Sequence, residues 1–520
     1  MWLKNKVLRK SLILLSVVPL SFILCTTEHR LTPFERASGE SVTSYESMIQ
    51  FIGELDQESE IITVETFGSS VEGRDIPLLR ISDPSSAAEG RSDQPEADPP
   101  LAEKITVMIY AQVNGDEHSG KEAALRLARD IAEGSFSEFL HNIDLLLIPQ
   151  VNPDGAERGQ KTNANNVDLD QDHLELSQPE VYALHRVFHR YMPEVTLDVQ
   201  EYETANEAWK NAGYEKRFGV QMGAVSNPNV SIVLRRYSWE RLLPAMERDM
   251  RLKNIRFRRF LNVDDPEKRF MHSSASLRSG RGALGIHNTL SYDMKAPKGG
   301  SGVNTIYEKT NLQYESIKTF LSILNRNAAE IKRIVREERE KLTRGTSIPR
   351  VHIEMDYTKD PANVSITAPV LSIETGAEAE VRFDNYYPLV GSIKSVTRPL
   401  GYAIPPENDA ITQILEKHGI EIHTSEVAVR GVLELYTINS VTRATVEEHD
   451  ITAVHVSVRS RIATIPSGYK IVWCNDIHSS LVVSMLEPHS IWGLAQSKTF
   501  SSLLAAGSSY PVIRIIRIID

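Results

Sequence analysis

The sequence of 520 residues predicts an α/β protein, a mixed central sheet flanked by helices, followed by a β-rich C-terminal region. Three observations predict it. Strand-like and helix-like runs alternate between about residues 60 and 200. A long amphipathic segment, Leu312 to Leu342, follows that part. After Pro349 the pattern turns to short alternating runs separated by turn residues. A composition of 41% hydrophobic and 24% charged residues allows a sizeable core, and the length suits two or three domains. The net charge of −11 offers no basic face, so no nucleic-acid partner is expected.

The elements follow in order. Met1 to Lys10 is a positively charged n-region and Leu12 to Leu24 an apolar h-region too short to span a membrane comfortably, so residues 1–25 read as an export leader. The expected location is periplasmic, envelope-attached or extracellular, with membrane contact only through the leader or a lipid on Cys25. The bulky Phe22-Ile-Leu24 stands where lipid-attachment signals place a small residue. Cys474 is the other cysteine, so core packing rather than an internal disulfide must hold the mature chain, unless Cys25 stays free. Cys474 itself reads as a buried strand residue.

From Ser41 helical spacing runs through Tyr45, Met48, Ile49, Ile52 and Leu55. Ile61 to Phe67 and Ile76 to Ile81 form a hairpin around Gly68 to Arg74, and Ser82 to Pro100 reads as a loop. A strand over 105–113 leads to a helix from Gly120 to Ala132, and Ile143 to Pro149 is the next strand. A long loop runs through Asp172. A helix from Pro179 to Tyr191 precedes the strand 194–199, and a further helix is expected from Tyr237 to Leu252. The basic run Arg251 to Arg259 reads as a solvated helix end or loop. Leu312 to Leu342 is one helix or two, ended by Gly345 and Pro349. Beyond it, Val351 to Met355, Ser365 to Thr367, Ala444 to Val446 and Val454 to Val458 read as short strands, and Asn408 to His418 as a helix. The domains are therefore residues 41–345 and 350–520.

Five segments occur in an order that carries chemistry: Gly68-Ser-Ser-Val-Glu-Gly-Arg-Asp-Ile76, Asn114-Gly-Asp-Glu117, Asn152-Pro-Asp-Gly155, Asn165-Asn-Val-Asp-Leu-Asp-Gln-Asp172 and Asp198-Val-Gln-Glu-Tyr202. Each alone is ordinary turn or strand sequence. Together they resemble the zinc carboxypeptidase family, the carboxypeptidase A-like metallopeptidases. Thr397-Arg-Pro-Leu-Gly-Tyr-Ala-Ile-Pro405 is similar to a C-terminal extension of some large bacterial members. The resemblance implies a peptidase whose zinc has three protein ligands and an open position for water. It further implies a glutamate base, an arginine for the oxyanion, and an Asn-Arg pair gripping the substrate carboxylate.

On those motifs the metal positions fall on Asn114, Glu117 and Gln200. Only Glu117 is a competent ligand, because carboxamide oxygens are neutral, weak donors to zinc. The carboxylate-gripping pair falls on Asp170 and Gln171, where a peptide C-terminus would be repelled. The oxyanion position falls on Lys161, with Arg158 as the second candidate. The base position falls on Tyr292, Asp293 or Lys295, depending on register. Glu374, in Leu371-Ser-Ile-Glu-Thr-Gly376, reads as a structural turn.

The expectation is a non-catalytic relative, with no cofactor, that keeps the fold and binds a peptide or cell-wall fragment in its cleft. One alternative is an active peptidase whose zinc sits on Glu117, His118 and a distant histidine such as His173 or His287. Another is a structural or interaction module of the cell envelope.

Overall fold

The structure is a computed structural model that describes residues 30–83, 104–272, 274–299, 305–344, 350–446, 449–497, 500 and 503–519. The leader of residues 1–25 with Cys25, and nearly all of the loop to Pro100, lie outside the described residues.

Eight strands make the main sheet: β1 (Ile62–Ser69), β2 (Asp75–Ile81), β3 (Ile105–Ala111), β4 (Ile143–Ile148), β5 (Val195–Tyr202), β6 (Val220–Ala224), β7 (Phe257–Arg259) and β8 (Leu290–Pro297). Their spatial order is β1-β2-β4-β3-β5-β8-β6-β7. The inner strands β4, β3, β5 and β8 are parallel, β1 and β2 run antiparallel to their neighbours, and β6 is antiparallel to β8 but parallel to β7, so the sheet is mixed as expected. Parallel inner strands need both faces covered, and the period-2 alternation of their side chains supplies two apolar faces. Ile105, Val107, Ile109 and Ala111 of β3 join one core layer, while Met108 and Tyr110 join the other.

Helices α1 (Tyr45–Glu58) and α2 (Ser119–Ala132) cover the first face, and α3 (Pro179–Tyr191) covers the second through Val181, Leu184, Val187 and Phe188. The helix expected from Tyr237 begins earlier, at Ile232, and is interrupted by a π-helical turn over Ser238–Leu242 before α4 (Leu243–Leu252). Pro244 lacks the N–H that would continue the regular ladder, and the wider turn accommodates it. A short helix α5 (Gly280–Gly285) precedes β8.

The long amphipathic segment is two helices, α6 (Ile306–Arg326) and α7 (Ala328–Thr343). They part at Asn327, whose backbone leaves the helical region and whose side-chain amide donates to the Ile323 carbonyl at 2.7 Å. A capping box of Thr305 and Glu308 starts α6 six residues before the expected Leu312.

The C-terminal region is β-rich. The runs at Ala444 and Val454, expected as separate short strands, belong to one long antiparallel hairpin, Val429–Val446 with His449–Ile465. Helix α8 (Asp409–Lys417) packs toward α3, and α9 (Ser479–Leu486) is wholly buried. The apolar core runs on from Met48 in α1 to Val512 near the C-terminus. Ile366–Ser372 also pairs with Tyr214–Lys216 of the preceding region. In the C-terminal region Glu487 accepts hydrogen bonds from the Tyr402 and Tyr436 hydroxyls, both at 2.6 Å, with Arg514 Nε 3.0 Å away. Glu374 lies exposed in a turn, and Cys474 is buried and free. Among the described residues no helix is long and apolar enough to cross a membrane.

Candidate active site

Parallel strands deliver their C-terminal ends to one edge of a sheet, where polar side chains can gather without breaking the core. In register across this sheet, Tyr110 of β3 stands opposite Asp198 of β5, and Asp198 opposite Asp293 of β8. The next cleft-facing pair is Gln200 and Lys295. Asp198, Gln200, Asp293 and Lys295, with Asp170, Gln171 and Arg281, line a cleft of about 350 Å³, while Tyr110 is buried beneath it.

The turn after β3 carries Asn114 and Glu117, which are not among the residues lining this cleft. Gln112 adopts a left-handed backbone, with φ of 52°. Its amide donates to the Gly115 carbonyl at 2.8 Å and lies 2.8 Å from His118 Nδ1. Asn114 Nδ2 donates to Glu117 Oε1 at 2.9 Å, and the Glu201 backbone N–H donates to Glu117 Oε2 at 2.8 Å. Both oxygens of Glu117 are therefore engaged. Burial pushes its carboxyl up to about 7, against those two donors.

The segment Asn152-Pro-Asp-Gly155 staples this turn. Asn152 Oδ1 accepts from Gly155 N at 2.9 Å, and its Nδ2 donates to the Val113 carbonyl at 3.1 Å. A Cβ on Gly115 would stand 2.2 Å from the Gly155 carbonyl carbon and 2.4 Å from the Ala156 nitrogen. Gly115→Ala is expected to cost about 1–3 kcal/mol, because backbone on both sides must move. Urea denaturation measures it, and an unchanged midpoint would count against this packing.

The cleft floor is acidic, with cations set into it. Gln200 Nε2 donates to Asp198 Oδ2 at 2.7 Å and to Asp170 Oδ1 at 3.3 Å. Burial raises the carboxyls of Asp170 and, further, of Asp198, where the neighbouring Asp170 adds to the effect. Burial would raise Asp293 too, but Arg281 and Lys295 overcome it and hold that carboxyl below its usual range. Arg281 is buried, with Nη1 2.5 Å from Asp293 Oδ2, and Lys295 Nζ lies 3.7 Å from the same oxygen. The Lys295 charge acts on four carboxyl groups, Glu117, Asp170, Asp198 and Asp293.

The structure sorts the sequence-derived candidates. Asn114 and Glu117 meet each other, and Gln200 joins Asp170 rather than either of them. Of the three base-register options, Asp293 and Lys295 face the cleft. Tyr292 points to the opposite face, fully buried, 2.8 Å from the Ser238 hydroxyl, because neighbouring strand residues alternate. Lys161 is exposed and pairs with Asp168 at 2.7 Å, and Arg158 pairs with Glu72. Neither lines the cleft. His118 contacts Gln112, His173 contacts His185, and His287 contacts His478. Among the described residues, the groups of three or more His, Cys, Asp or Glu within ligand reach of one another include neither Glu117 nor His118.

Arg281 is the cleft residue that sequence reasoning missed. It lies in Ser279-Gly-Arg-Gly-Ala283, which reads as a polar turn, and a buried arginine has no local signature.

The mixed sheet gathers polar side chains at the open ends of its parallel strands, where α/β proteins place their ligand sites. Residues 48–204 match the family model described as zinc carboxypeptidase. Carboxypeptidase 2 of Trichophyton rubrum is 23% identical over 495 residues, which cover 91% of this chain and 86% of that protein. Carboxypeptidase D of Mus musculus is 33% identical over 106 residues, 18% of this chain and 8% of that one. Among solved structures, a metallo-carboxypeptidase from Burkholderia cenocepacia is 16% identical with a TM-score of 0.41, covering 54% of this chain and 69% of its own. Residues 48–204 are thus similar to a zinc carboxypeptidase domain, and most of the chain is similar in sequence to carboxypeptidase 2.

Proposed function

We propose that this protein is an exported, non-catalytic member of the family that binds a peptide or cell-wall fragment in the cleft and does not hydrolyse it with zinc. The observation that carries the reading is the state of Glu117, whose two oxygens are taken by Asn114 Nδ2 and the Glu201 N–H. The remaining metal positions hold amides, and the amide nitrogen of Gln200 is turned toward Asp198 and Asp170. One engaged carboxylate and two neutral amides do not suit zinc, which favours imidazole, thiolate and free carboxylate donors. Lys295 already brings positive charge to the carboxyls there. Asp170 and Asp198 would repel a peptide C-terminus and accept from ligand hydroxyl or ammonium groups.

The test is zinc quantitation beside a peptidase assay. Asn114→His with Gln200→His is expected to gain about one equivalent of zinc over the unsubstituted chain, since it restores the usual donors. It is expected to gain no peptidase activity, because Asp170, Gln171 and Lys295 remain. Peptidase activity in the unsubstituted chain that is lost, together with bound zinc, in Glu117→Gln would overturn the proposal.

A further inference from the structure

Six of the chain's 15 histidines, His173, His185, His189, His287, His418 and His478, gather behind α3, away from the cleft. They come from separate parts of the chain. His173 precedes α3, His185 and His189 share one face of it, His287 follows α5, His418 ends α8, and His478 precedes α9. His173, His185, His287 and His418 are fully buried.

From this gathering we infer that His185, His189 and His418 form a binding site for one divalent transition-metal ion, of the zinc or cobalt class. Each offers one ligand nitrogen, and these lie within 4.8 Å of one another. Zinc–imidazole bonds are about 2.0–2.1 Å, so closing on an ion takes side-chain adjustments of about 1 Å.

Several observations point to a ligand rather than to ordinary packing. His185 Nδ1, His418 Nδ1 and both nitrogens of His189 are buried without a hydrogen-bond partner, a costly state unless something fills the space between them. The outer nitrogens are already held. His418 Nε2 donates to the Leu174 carbonyl at 2.9 Å, and His185 Nε2 lies 3.1 Å from His173 Nδ1. That is how metal-bound imidazoles are oriented by partners behind them.

A cleft of about 540 Å³ has His189 in its wall and gives an ion a way in. Arg186, Arg190 and Lys417 line that cleft and oppose a cation, while Glu65 and Glu416 offset them. His189, His287 and His478 also lie within ligand reach. There, His287 Nε2 and His478 Nδ1 already lie 3.1 Å from each other, so that trio leaves fewer unpartnered nitrogens than the first one does. The favoured trio joins the first region to the C-terminal one, so an ion would clamp α8 onto α3.

The experiment uses the full chain, stripped with a chelator and titrated with Zn²⁺ by calorimetry and with Co²⁺ by visible absorption. One equivalent should bind, with the intense cobalt bands of a tetrahedral nitrogen site. His189→Ala and His418→Ala should each lose about 100-fold or more in affinity, and His173→Ala about 10–100-fold. Glu117→Gln should bind as the unsubstituted chain does, which separates this site from the family's own. His287→Ala should stay within about threefold, and a larger loss would place the ion in the other trio and overturn the assignment. If the alanine variants fail to fold, anomalous scattering from the cobalt-loaded unsubstituted chain decides. Density between His185, His189 and His418 supports the site. Density elsewhere, or no uptake of either ion, overturns it.

Discussion

Replacing Arg281 with methionine is expected to destabilise the protein by about 3–5 kcal/mol at pH 7, the usual cost of leaving one buried charge without its partner. Arg281 Nη1 lies 2.5 Å from Asp293 Oδ2, and both side chains are buried. Lys295 at 3.7 Å is the remaining compensation, which places the expected cost toward the lower end of that range. The pH dependence follows from Asp293. Its carboxyl is held below the usual range, so its stabilisation is present above the unfolded-state value and is lost as pH falls through the folded one. The deficit of Arg281→Met should therefore shrink in acid, where Asp293 becomes neutral. Arg281→Met combined with Asp293→Leu should recover most of the loss, because an apolar pair of similar volume carries no desolvation penalty. Chemical denaturation at pH 7 and pH 3 tests this. A deficit under 1 kcal/mol at pH 7 would mean that the pair is already hydrated.

Glu117→Gln should act in the opposite direction. Burial holds the Glu117 carboxyl at about 7 against an ordinary 4.5. Between those values the native state keeps a proton that the unfolded chain releases, so stability falls as pH rises through the window. The full difference corresponds to about 3 kcal/mol, present below pH 4.5 and lost above pH 7. Glutamine removes the charge and keeps an oxygen for the Glu201 N–H. Its new amide can donate to Asn114 Oδ1, a buried acceptor without a partner, once the Asn114 amide turns. The variant is expected to gain about 1–3 kcal/mol at pH 8 and nothing at pH 4.5. Destabilisation at both pH values would show instead that Glu117 is needed in its charged form, as it would be beside a bound cation.

Much of the fold was legible in the sequence because its signals are local. The helix at Pro179 to Tyr191 and the strands starting at Ile105 and Ile143 stand where periodicity and turn residues put them. The long hairpin of Val429–Val446 with His449–Ile465 was not legible as one unit, since its many polar residues read as breaks. The start of α6 was missed although the Thr305 to Glu308 cap is present in the sequence. Of the positions named from the order of motifs, Asp170, Gln171 and Gln200 line the cleft and Asn114 and Glu117 do not. That order could not choose among Tyr292, Asp293 and Lys295, because a one-residue shift reverses a strand's faces.

By itself the sequence determined which side chains are available, Asn114, Glu117, Asp170, Gln171 and Gln200 among them, and a strand-helix order that makes the sheet. These are matters of residue identity and short-range periodicity. Tertiary structure alone decided that Arg281 and not Lys161 or Arg158 faces the cleft, that Tyr292 turns away from it, and that six histidines spread between positions 173 and 478 meet behind α3. Those outcomes depend on which faces pack together across hundreds of residues, and no local pattern encodes a contact between segments that far apart.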